Sequence, residues 1–224
     1  MQKDVRQLIS KIKSDKNFKI LIHDYNGHVG FIKPILHFDL NSDTLIERLK
    51  SWRNENISAY LDQTLATSAG TKKWLENNVL KNDSKVLFLV YDNFDVPIGH
   101  IGLSDGLVTD SLVEMDNIVR GDKTAQKGLI SLALYELISW VFISTSCNKI
   151  YLRVFSDNFK AISIYENLQF THINKEPLKK NVNEGAIKYE FLKSNKNADI
   201  YFCYMELARN DHFENYVNIK NFNG

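Results

Sequence analysis

The chain has little that points to a metal, a disulfide framework or a polyanion. Among 224 residues there are two cysteines, Cys147 and Cys203. They lie far apart and form no CxxC pair, which excludes a disulfide scaffold. Six histidines are scattered and never fall at ligand spacing, so no metal site is expected. A surplus of one charge is missing too: 28 basic and 27 acidic residues leave a net charge of +1. Broad capture of nucleic acid is not expected from that balance, although a local basic patch is allowed. The opening stretch MQKDVRQLISKIKSDK alternates charged and apolar residues and lacks a signal-peptide core. A reducing, cytoplasmic setting is the expectation. Residues 129–147 are apolar and nearly long enough to span a bilayer, but Glu136 sits in mid-run. No membrane insertion is expected.

What is present suffices for a sizeable core: 44% of residues are apolar and 12% aromatic. The length suggests one domain, or one domain with an appendage. Residues 1–14 read as a short amphipathic helix with Val5, Leu8, Ile9 and Ile12 on one side. FKILIHDYNGHVGFIKPI reads as a hairpin with an Asn26-Gly27 turn. Pro34 puts its second strand at an edge, or ends its pairing. Helices follow in NSDTLIERLKSWRN and TKKWLENNVL, then two strands in KVLFLVYDNFDVPIGHIGLSDG and another in SLVEMDNIV. The segment 130–141 carries Ile130, Ala133, Leu134, Leu137, Ile138 and Val141 at helical spacing. KIYLRVF alternates as a strand. In SDNFKAISIYENLQF one helical face holds Ala161, Ile164, Tyr165 and Leu168, with Asp157 or Asn158 as the cap. Further strands are expected near 186–191 and 199–208, and the Asn-rich end has no clear period. Strand, helix, strand, helix over 111–168 implies a parallel crossover inside a mixed sheet.

One loop asks for chemistry. RGDKTAQKGLISLAL holds Arg120, Lys123 and Lys127, one acid, Asp122, and glycines at 121 and 128, just before a long helix. A helix start leaves its first N–H groups unpartnered, and the macrodipole adds partial positive charge. Such a mouth suits a phosphate or pyrophosphate. The loop matches neither GxxxxGK[ST] nor GxGxxG. An ordinary loop with solvated lysines is the bland alternative.

The next crossover places Asn158 and Tyr165 seven residues apart, about two helical turns. Together, EMDNIVRGDKTAQKGLISLAL and YLRVFSDNFKAISIYENLQF resemble the GNAT superfamily of acyl-CoA-dependent N-acyltransferases. In that family a fourth strand runs into a Q/R-x-x-G-x-G/A loop and a long helix, and a fifth strand leads into N-x-x-A-x-x-x-Y-x-K-L-G-F. Two departures stand out. The family's G-x-G is Gln126-Lys127-Gly128 here, and its L-G-F is Leu168-Gln169-Phe170. The resemblance implies an α/β fold: a mixed, mostly antiparallel central sheet with strands four and five splayed as a parallel pair, flanked by helices. It divides the chain into an N-terminal helix and hairpin extension (1–29), an acyltransferase domain (30–209) and a tail (210–224). The extension extends the sheet, completes a pocket or supports a homodimer; the sequence does not choose.

The resemblance also implies roles. Acyl-CoA is the co-substrate, as acetyl-CoA or a short hydroxyacyl-CoA such as 3-hydroxybutyryl-CoA, with no metal. The pantetheine arm pairs with the strand around Asn117, Ile118 and Val119, whose N–H groups also support the oxyanion. Arg120 and the run Thr124, Ala125, Gln126, Lys127, Gly128, Leu129 and Ile130 hold the pyrophosphate, and Asn158 contacts the pantetheine or fixes the loop. Tyr165 is the candidate acid for the departing thiolate; by periodicity alone it is a core tyrosine. Glu114, Asp116 and His100 are the candidate bases. Their bland alternatives are solvated strand carboxylates and a surface histidine. An acyl-cysteine route has no support, because neither cysteine has a histidine neighbour in sequence.

Within the family, WRN at 52–54, MDNIVRG at 115–121 and EPLKK at 176–180 look like acyltransferases of nucleotide-linked amino sugars. The expected acceptor is the amine of a dTDP- or UDP-linked amino-dideoxy sugar, destined for bacterial surface polysaccharide or O-antigen. Trp52 and Arg53 are the candidate acceptor contacts, with Lys33 and His37 weaker. A protein N-terminus, an aminoglycoside, a polyamine and a coenzyme-binding module without chemistry are the alternatives.

Overall fold

Two apolar faces organise the chain. In the strand Lys85–Asp92, Val86, Phe88 and Val90 belong to one core cluster, Leu87 and Leu89 to another. A strand buried on both faces belongs in mid-sheet, between helical layers. The computed structural model describes residues 5–105, 112–183 and 186–214. Its strands are β1 (Ile20–Asp24), β2 (Gly27–Pro34), β3 (Lys85–Asp92), β4 (Pro97–Asp105), β5 (Leu112–Arg120), β6 (Lys149–Phe155), β7 (Thr171–Asn183), β8 (Ala186–Phe191) and β9 (Ile200–Ala208). Its helices are α1 (Val5–Ser14), α2 (Asp43–Glu55), α3 (Ser68–Trp74), α4 (Leu129–Ser144), α5 (Phe159–Asn167) and α6 (Arg209–Glu214). A π turn, Leu75–Leu80, extends α3.

The strands form one sheet in the order β1-β2-β3-β4-β5-β6-β9-β7-β8. Its pairings are antiparallel except for β5 with β6, joined by the α4 crossover. A mixed sheet with one parallel pair is therefore what the chain builds. Counting the N-terminal hairpin, the pair expected as strands four and five is β5 and β6. One core cluster joins α1, α4 and α5 residues to the sheet. The other, on the opposite side of β3, joins α2 and the π turn.

The N-terminal segment extends the sheet. Val5, Leu8, Ile9 and Ile12 of α1 are buried in the first cluster. Lys13 donates to the carbonyls of Val79, Leu80 and Asn82 at 2.7, 3.2 and 2.6 Å, tying α1 to the end of the π turn. The hairpin turns at Tyr25–Asn26, one residue before the expected place, with Gly27 at φ +130°. Pro34 is the last residue of an internal strand, so it ends the pairing and marks no edge. Of the hairpin's two strands, β1 is the one at a sheet edge.

Two elements lie outside the sequence expectation. The strand β7 pairs β9 with β8, yet only Leu178 in it is buried, so it carries no apolar alternation to detect. The helix α6 occupies what the sequence suggests is the start of a tail. Its His212 is buried, with Nε2 2.7 Å from Ser139 Oγ of α4. Arg209 closes the other end of α4, donating to the carbonyls of Phe142, Thr145 and Cys147. Helix α4 is thus buried on the sheet side and beneath α6. No helix among the described residues is long and apolar enough to cross a membrane.

The turn after α5 keeps a shape that suits glycine. The N–H of Phe170 bonds the Tyr165 carbonyl at 2.9 Å, and the N–H of Gln169 bonds that of Glu166 at 2.9 Å. This is a Schellman closure with Gln169 at φ +70°. The left-handed conformation costs a side-chain-bearing residue about 1 kcal/mol. Gln169→Gly should therefore raise stability by about 1 kcal/mol and the melting temperature by roughly 2–4 °C. Calorimetry checks this; an unchanged or lower transition contradicts the strain.

Candidate active site

The site begins where a ladder stops. Among the described residues, strands β5 and β6 pair at Leu112–Lys149, Val113–Ile150 and Glu114–Tyr151. Beyond that point β5 runs on to Arg120 and β6 to Phe155 without pairing to each other. A bulge accompanies the divergence. Between the β4–β5 partners His100–Val119 and Gly102–Asp116, β5 carries one residue more than β4. Asn117 lies in this stretch at φ +47°, a conformation asparagine tolerates. The opening leads into a cleft of about 640 Å³. Its walls come from β5 and β6, from α2, α3 and the loop between them, and from α5.

Glu114, Asp116 and His100 all line this cleft. Glu114 is only 6% exposed, and both oxygens are engaged. Arg153 Nε donates to Oε1 at 2.7 Å, and the Tyr151 hydroxyl donates to Oε2 at 3.2 Å. Asp116 pairs through Oδ2 with Lys85, while its Oδ1 is buried with no hydrogen-bond partner. That oxygen rests over Gly102, where an added Cβ would lie 1.9 Å from it. His100 is 4% exposed, which corrects the surface reading, and its Nδ1 lies 2.6 Å from the Asn117 carbonyl. A carbonyl only accepts, so Nδ1 carries the proton and Nε2 the lone pair. Burial lowers the His100 pKa to about 4, which keeps the ring neutral at pH 7.

Helix α5 supplies the far wall. Asn158 caps it, its Oδ1 accepting from the Ala161 N–H at 3.3 Å. Asn158, Ala161 and Tyr165 line the cleft. Burial pushes the Tyr165 phenol above its usual range, so it stays protonated at neutral pH. Tyr165 thus combines the expected core position with a place at the cleft.

The loop before α4 is more internally bonded than its sequence suggests. Arg120 turns back on it and donates to the carbonyls of Asp122, Lys123 and Ala125 at 3.2, 3.0 and 2.7 Å. Asp122 Oδ1 accepts from the Thr124 N–H and hydroxyl. Lys123 faces Glu55 at 3.7 Å. Arg120 is therefore a brace, and Lys127 is the exposed cation nearest the helix start. Gly128 caps α4 at φ +83° with open space where a Cβ would be. The α4 ladder starts with the Leu132 N–H on the Gly128 carbonyl, leaving the preceding amides at the mouth outside it. Residues 120–130 lie outside the cleft lining, as do Lys33 and His37.

On the acceptor side the two candidates separate. Trp52 is buried, its indole packed on Gly121 so closely that a Cβ there would meet the ring at 2.1 Å. It supports the wall from behind and does not line the cleft. Arg53 does, with its guanidinium 4.0 Å above the Tyr60 ring and Nη2 donating to the Asp62 carbonyl at 2.8 Å. The lining residues that sequence reasoning missed include Tyr60, Thr71, Arg153 and Phe202. Only Arg153 left a trace, as a charge alternating out of an apolar strand beside the one that carries Glu114. Cys147 and Cys203 are buried, burial raises both thiol pKa values, and neither lines the cleft. No metal-ligand cluster occurs among the described residues.

The comparisons agree with this architecture. The model of an acetyltransferase (GNAT) domain family matches residues 38–171. No curated protein sequence matches the chain significantly. Among solved structures, FdhC, a nucleotide-linked sugar GNAT, superposes with a TM-score of 0.64 at 14% identity, covering 93% of this chain and 99% of its own. Spermidine N-acetyltransferase from Vibrio cholerae, with coenzyme A and spermine, gives 0.60 at 16% identity, covering 81% and 96%. RimL, a ribosomal L7/L12 alpha-N-protein acetyltransferase bound to coenzyme A, gives 0.61 at 10% identity, covering 82% and 96%. At such identities the likeness is one of fold, and it spans three different acceptors.

Two neutral histidines set an acid limit on this fold. Burial lowers both His100 and His212 to about 4. In the unfolded chain each titrates near 6.5. The unfolded state binds more protons between these values, so their contribution is complete above about pH 6.5 and is lost as pH falls towards 4. For His100 the contribution is on the order of 3 kcal/mol. Melting temperatures should fall steadily from pH 7 to pH 4.5, and His100→Gln should flatten the decline. An identical slope in the variant would place the acid sensitivity elsewhere.

Proposed function

The chain belongs to the GNAT acetyltransferase family and is an acyl-CoA-dependent N-acyltransferase, and from that premise we propose that its acceptor is the amine of a nucleotide-linked amino sugar. One observation carries this reading. Each acid lining the cleft has its own cation: Glu114 has Arg153, Asp116 has Lys85, and Asp62 has Lys188 at 3.3 Å. Arg53 also lines it, and the bonds described for it are to a backbone carbonyl and an aromatic face. The described lining therefore offers a polycation no surplus negative charge. It suits an acceptor that brings negative charge of its own, as a dTDP or UDP diphosphate does. A nucleotide-linked sugar GNAT is among the proteins that share this fold.

The residues suit an acyl-CoA. The unpaired edges of β5 and β6 beyond Glu114 and Tyr151 leave main-chain groups free to meet an extended arm, at Asn117, Ile118 and Val119 on the β5 side. The mouth of α4, over Thr124 to Ile130, offers to a diphosphate Lys127, a left-handed Gly128 and the amides that Asp122 and Gln126 do not already hold. Arg120 acts there by holding the loop, and Asn158 by capping α5 beside the arm. Acetyl is the default acyl group; a small hydroxyacyl such as 3-hydroxybutyryl suits the same cleft.

The chemistry is direct attack of the neutral amine on the thioester. Main-chain N–H groups near Asn117–Val119 support the oxyanion. Tyr165, protonated and in the cleft wall, gives its proton to the departing thiolate. Glu114 is committed to Arg153 and Tyr151, and His100 is a weak base at its lowered pKa. Asp116, held by Lys85 through Oδ2, is the carboxylate left to take the proton that the attacking nitrogen loses.

Thiol release is the test. With acetyl-CoA and a panel of UDP- and dTDP-amino sugars, spermidine and a peptide amine, turnover should appear with a nucleotide sugar and be inhibited by free UDP or dTDP. Release with spermidine or the peptide alone overturns the acceptor. Arg53→Ala should raise acceptor KM about tenfold or more with coenzyme A affinity unchanged. Tyr165→Phe should lower kcat by roughly 100-fold with coenzyme binding intact; unchanged turnover removes the phenol from the mechanism.

A further inference from the structure

One side of the Glu114–Arg153 pair is enclosed and the other is not. Glu114 is buried, but the Arg153 side chain keeps 30% of its surface accessible. That surface opens into the cleft. Arg153 lines it, while its strand neighbours Leu152 and Val154 are buried in the core on the opposite face of β6. Arg153 Nε donates to Glu114 at 2.7 Å. The Tyr204 hydroxyl is a further partner of the guanidinium. It gives its own proton to Glu176 at 2.6 Å, so its oxygen is what the guanidinium meets. These two acceptors do not use up the fork, and N–H groups on the Nη atoms are left for the cleft.

The guanidinium is also held still. Its Cζ lies 5.7 Å from the Phe202 ring centroid and 6.0 Å from that of Tyr204. The Glu114 carboxylate that grips Nε is itself fixed by the Tyr151 hydroxyl at 3.2 Å. Such an ion pair adds little net stability, so stability alone does not call for an arginine here. A fixed guanidinium loses little freedom when a ligand binds it, and its planar fork suits oxygen acceptors. Its place in the fold points the same way. Arg153 stands two residues beyond Tyr151, the last β6 residue paired with β5, on the face of the sheet that carries Glu114. It therefore flanks the gap between the strands, where thioester and amine must meet.

We propose that Arg153 is an acceptor-binding residue: its Nη donors hold an oxygen of the acceptor molecule, a ring hydroxyl or a phosphate, and so seat the amine against the thioester. The inference rests on the nucleotide-sugar reading of the cleft and deepens it, because it demands an oxygen in the acceptor. Glu114 is then a positioning residue that acts through Arg153. Seating matters because the amine lone pair must face the thioester carbon. An oxygen-free polyamine such as spermidine has no group for this guanidinium, and its cationic nitrogens are repelled by it.

Arg153→Lys keeps a cation for the buried Glu114 and removes the fork. With a UDP- or dTDP-amino sugar that the wild type acylates, its acceptor KM should rise roughly tenfold or more, the loss of a charged hydrogen bond. Coenzyme A affinity by calorimetry should not move. If the lysine variant does not fold, Glu114→Gln/Arg153→Gln removes both charges and strands neither. Calorimetric binding of the acceptor in the presence of coenzyme A then replaces turnover, and it should weaken to the same extent. The free amino sugar without its nucleotide tells the two oxygens apart. A loss that persists on it assigns the hydroxyl, and a loss confined to the nucleotide-linked form assigns the phosphate. Wild-type KM or affinity for the nucleotide sugar overturns Arg153 as a contact and leaves the sugar reading standing. A parallel fall in coenzyme A affinity makes Arg153 structural and overturns it too. If the wild type acylates a peptide amine instead, the sugar reading fails by itself. Arg153→Lys is then read on the peptide, whose carbonyl oxygens take the same bonds, and an unaltered KM there overturns the inference. Acylation of spermidine alone overturns both.

Discussion

The site depends on one constraint: a parallel strand pair that stops after three residue pairs. Parallel strands joined by a helix normally stay paired and buried. Here the bulge at Asn117 bends β5 away from β6, and main-chain groups that would have bonded across the sheet face a cleft instead. The constraint is upheld from both sides. On β5, the His100 ring holds the Asn117 carbonyl, so the left-handed residue is fixed by a side chain from β4. On β6, Phe155 leads directly into the Asn158 cap, which sets the start of α5 and with it the position of Tyr165. Deleting the bulge's extra residue would slip the register of β5 by one and exchange the faces of Glu114 and Asp116 with those of Val113 and Met115.

Charge is managed locally throughout this opening. The Glu114–Arg153 pair stands at the last point of β5–β6 contact, and Arg153 also lies over the rings of Phe202 and Tyr204. Tyr204 in turn donates to Glu176 of β7 at 2.6 Å. A buried ion pair of this kind adds little net stability, but losing one partner leaves the other charge stranded. Its contribution is geometric: it keeps a carboxylate and a guanidinium fixed where the strands part. The loop 61–63 makes a comparable junction across the cleft, exchanging main-chain bonds with β8 through Gln63 to Ile187 and Tyr189 to Leu61. The β7–β8 hairpin thus anchors the loop that lines one side of the cleft, although its polar sequence shows no sign of it.

How much of this was legible follows from where each signal resides. The α4 helix, the β6 alternation and the Asn158 cap were readable because burial at a fixed period and a capping side chain are local properties. The strand β7 was not, because its pairing is made by main chain and its side chains face solvent. Trp52 and Arg53 are neighbours in sequence but occupy different surfaces, and only the packing of the indole on Gly121 separates them. Arg120 was readable as a cation near a helix start; that it spends its donors on three loop carbonyls is a tertiary outcome. The family's second glycine, at Gln169, shows the converse. The backbone keeps the left-handed turn although the residue that made it easy is gone, because the turn delivers Phe170 to the core.

The handling of the amine proton ties these observations together. A lysine-like amine must shed a proton at a cost of roughly 4–5 kcal/mol at pH 7, which calls for a strong, available base. The cleft does not present one. Glu114 spends both oxygens within the protein, and burial makes the neutral ring of His100 a poor proton acceptor. Asp116 is held by Lys85 through Oδ2, and its Oδ1 is buried. A site so arranged orients an amine better than it deprotonates one. It is matched to an amine already partly neutral at working pH, as an amine on an electron-withdrawing sugar ring is, and mismatched to the strongly basic amines of a polyamine. The proton inventory and the charge balance of the cleft draw on the same ion pairs, and both favour the proposed acceptor.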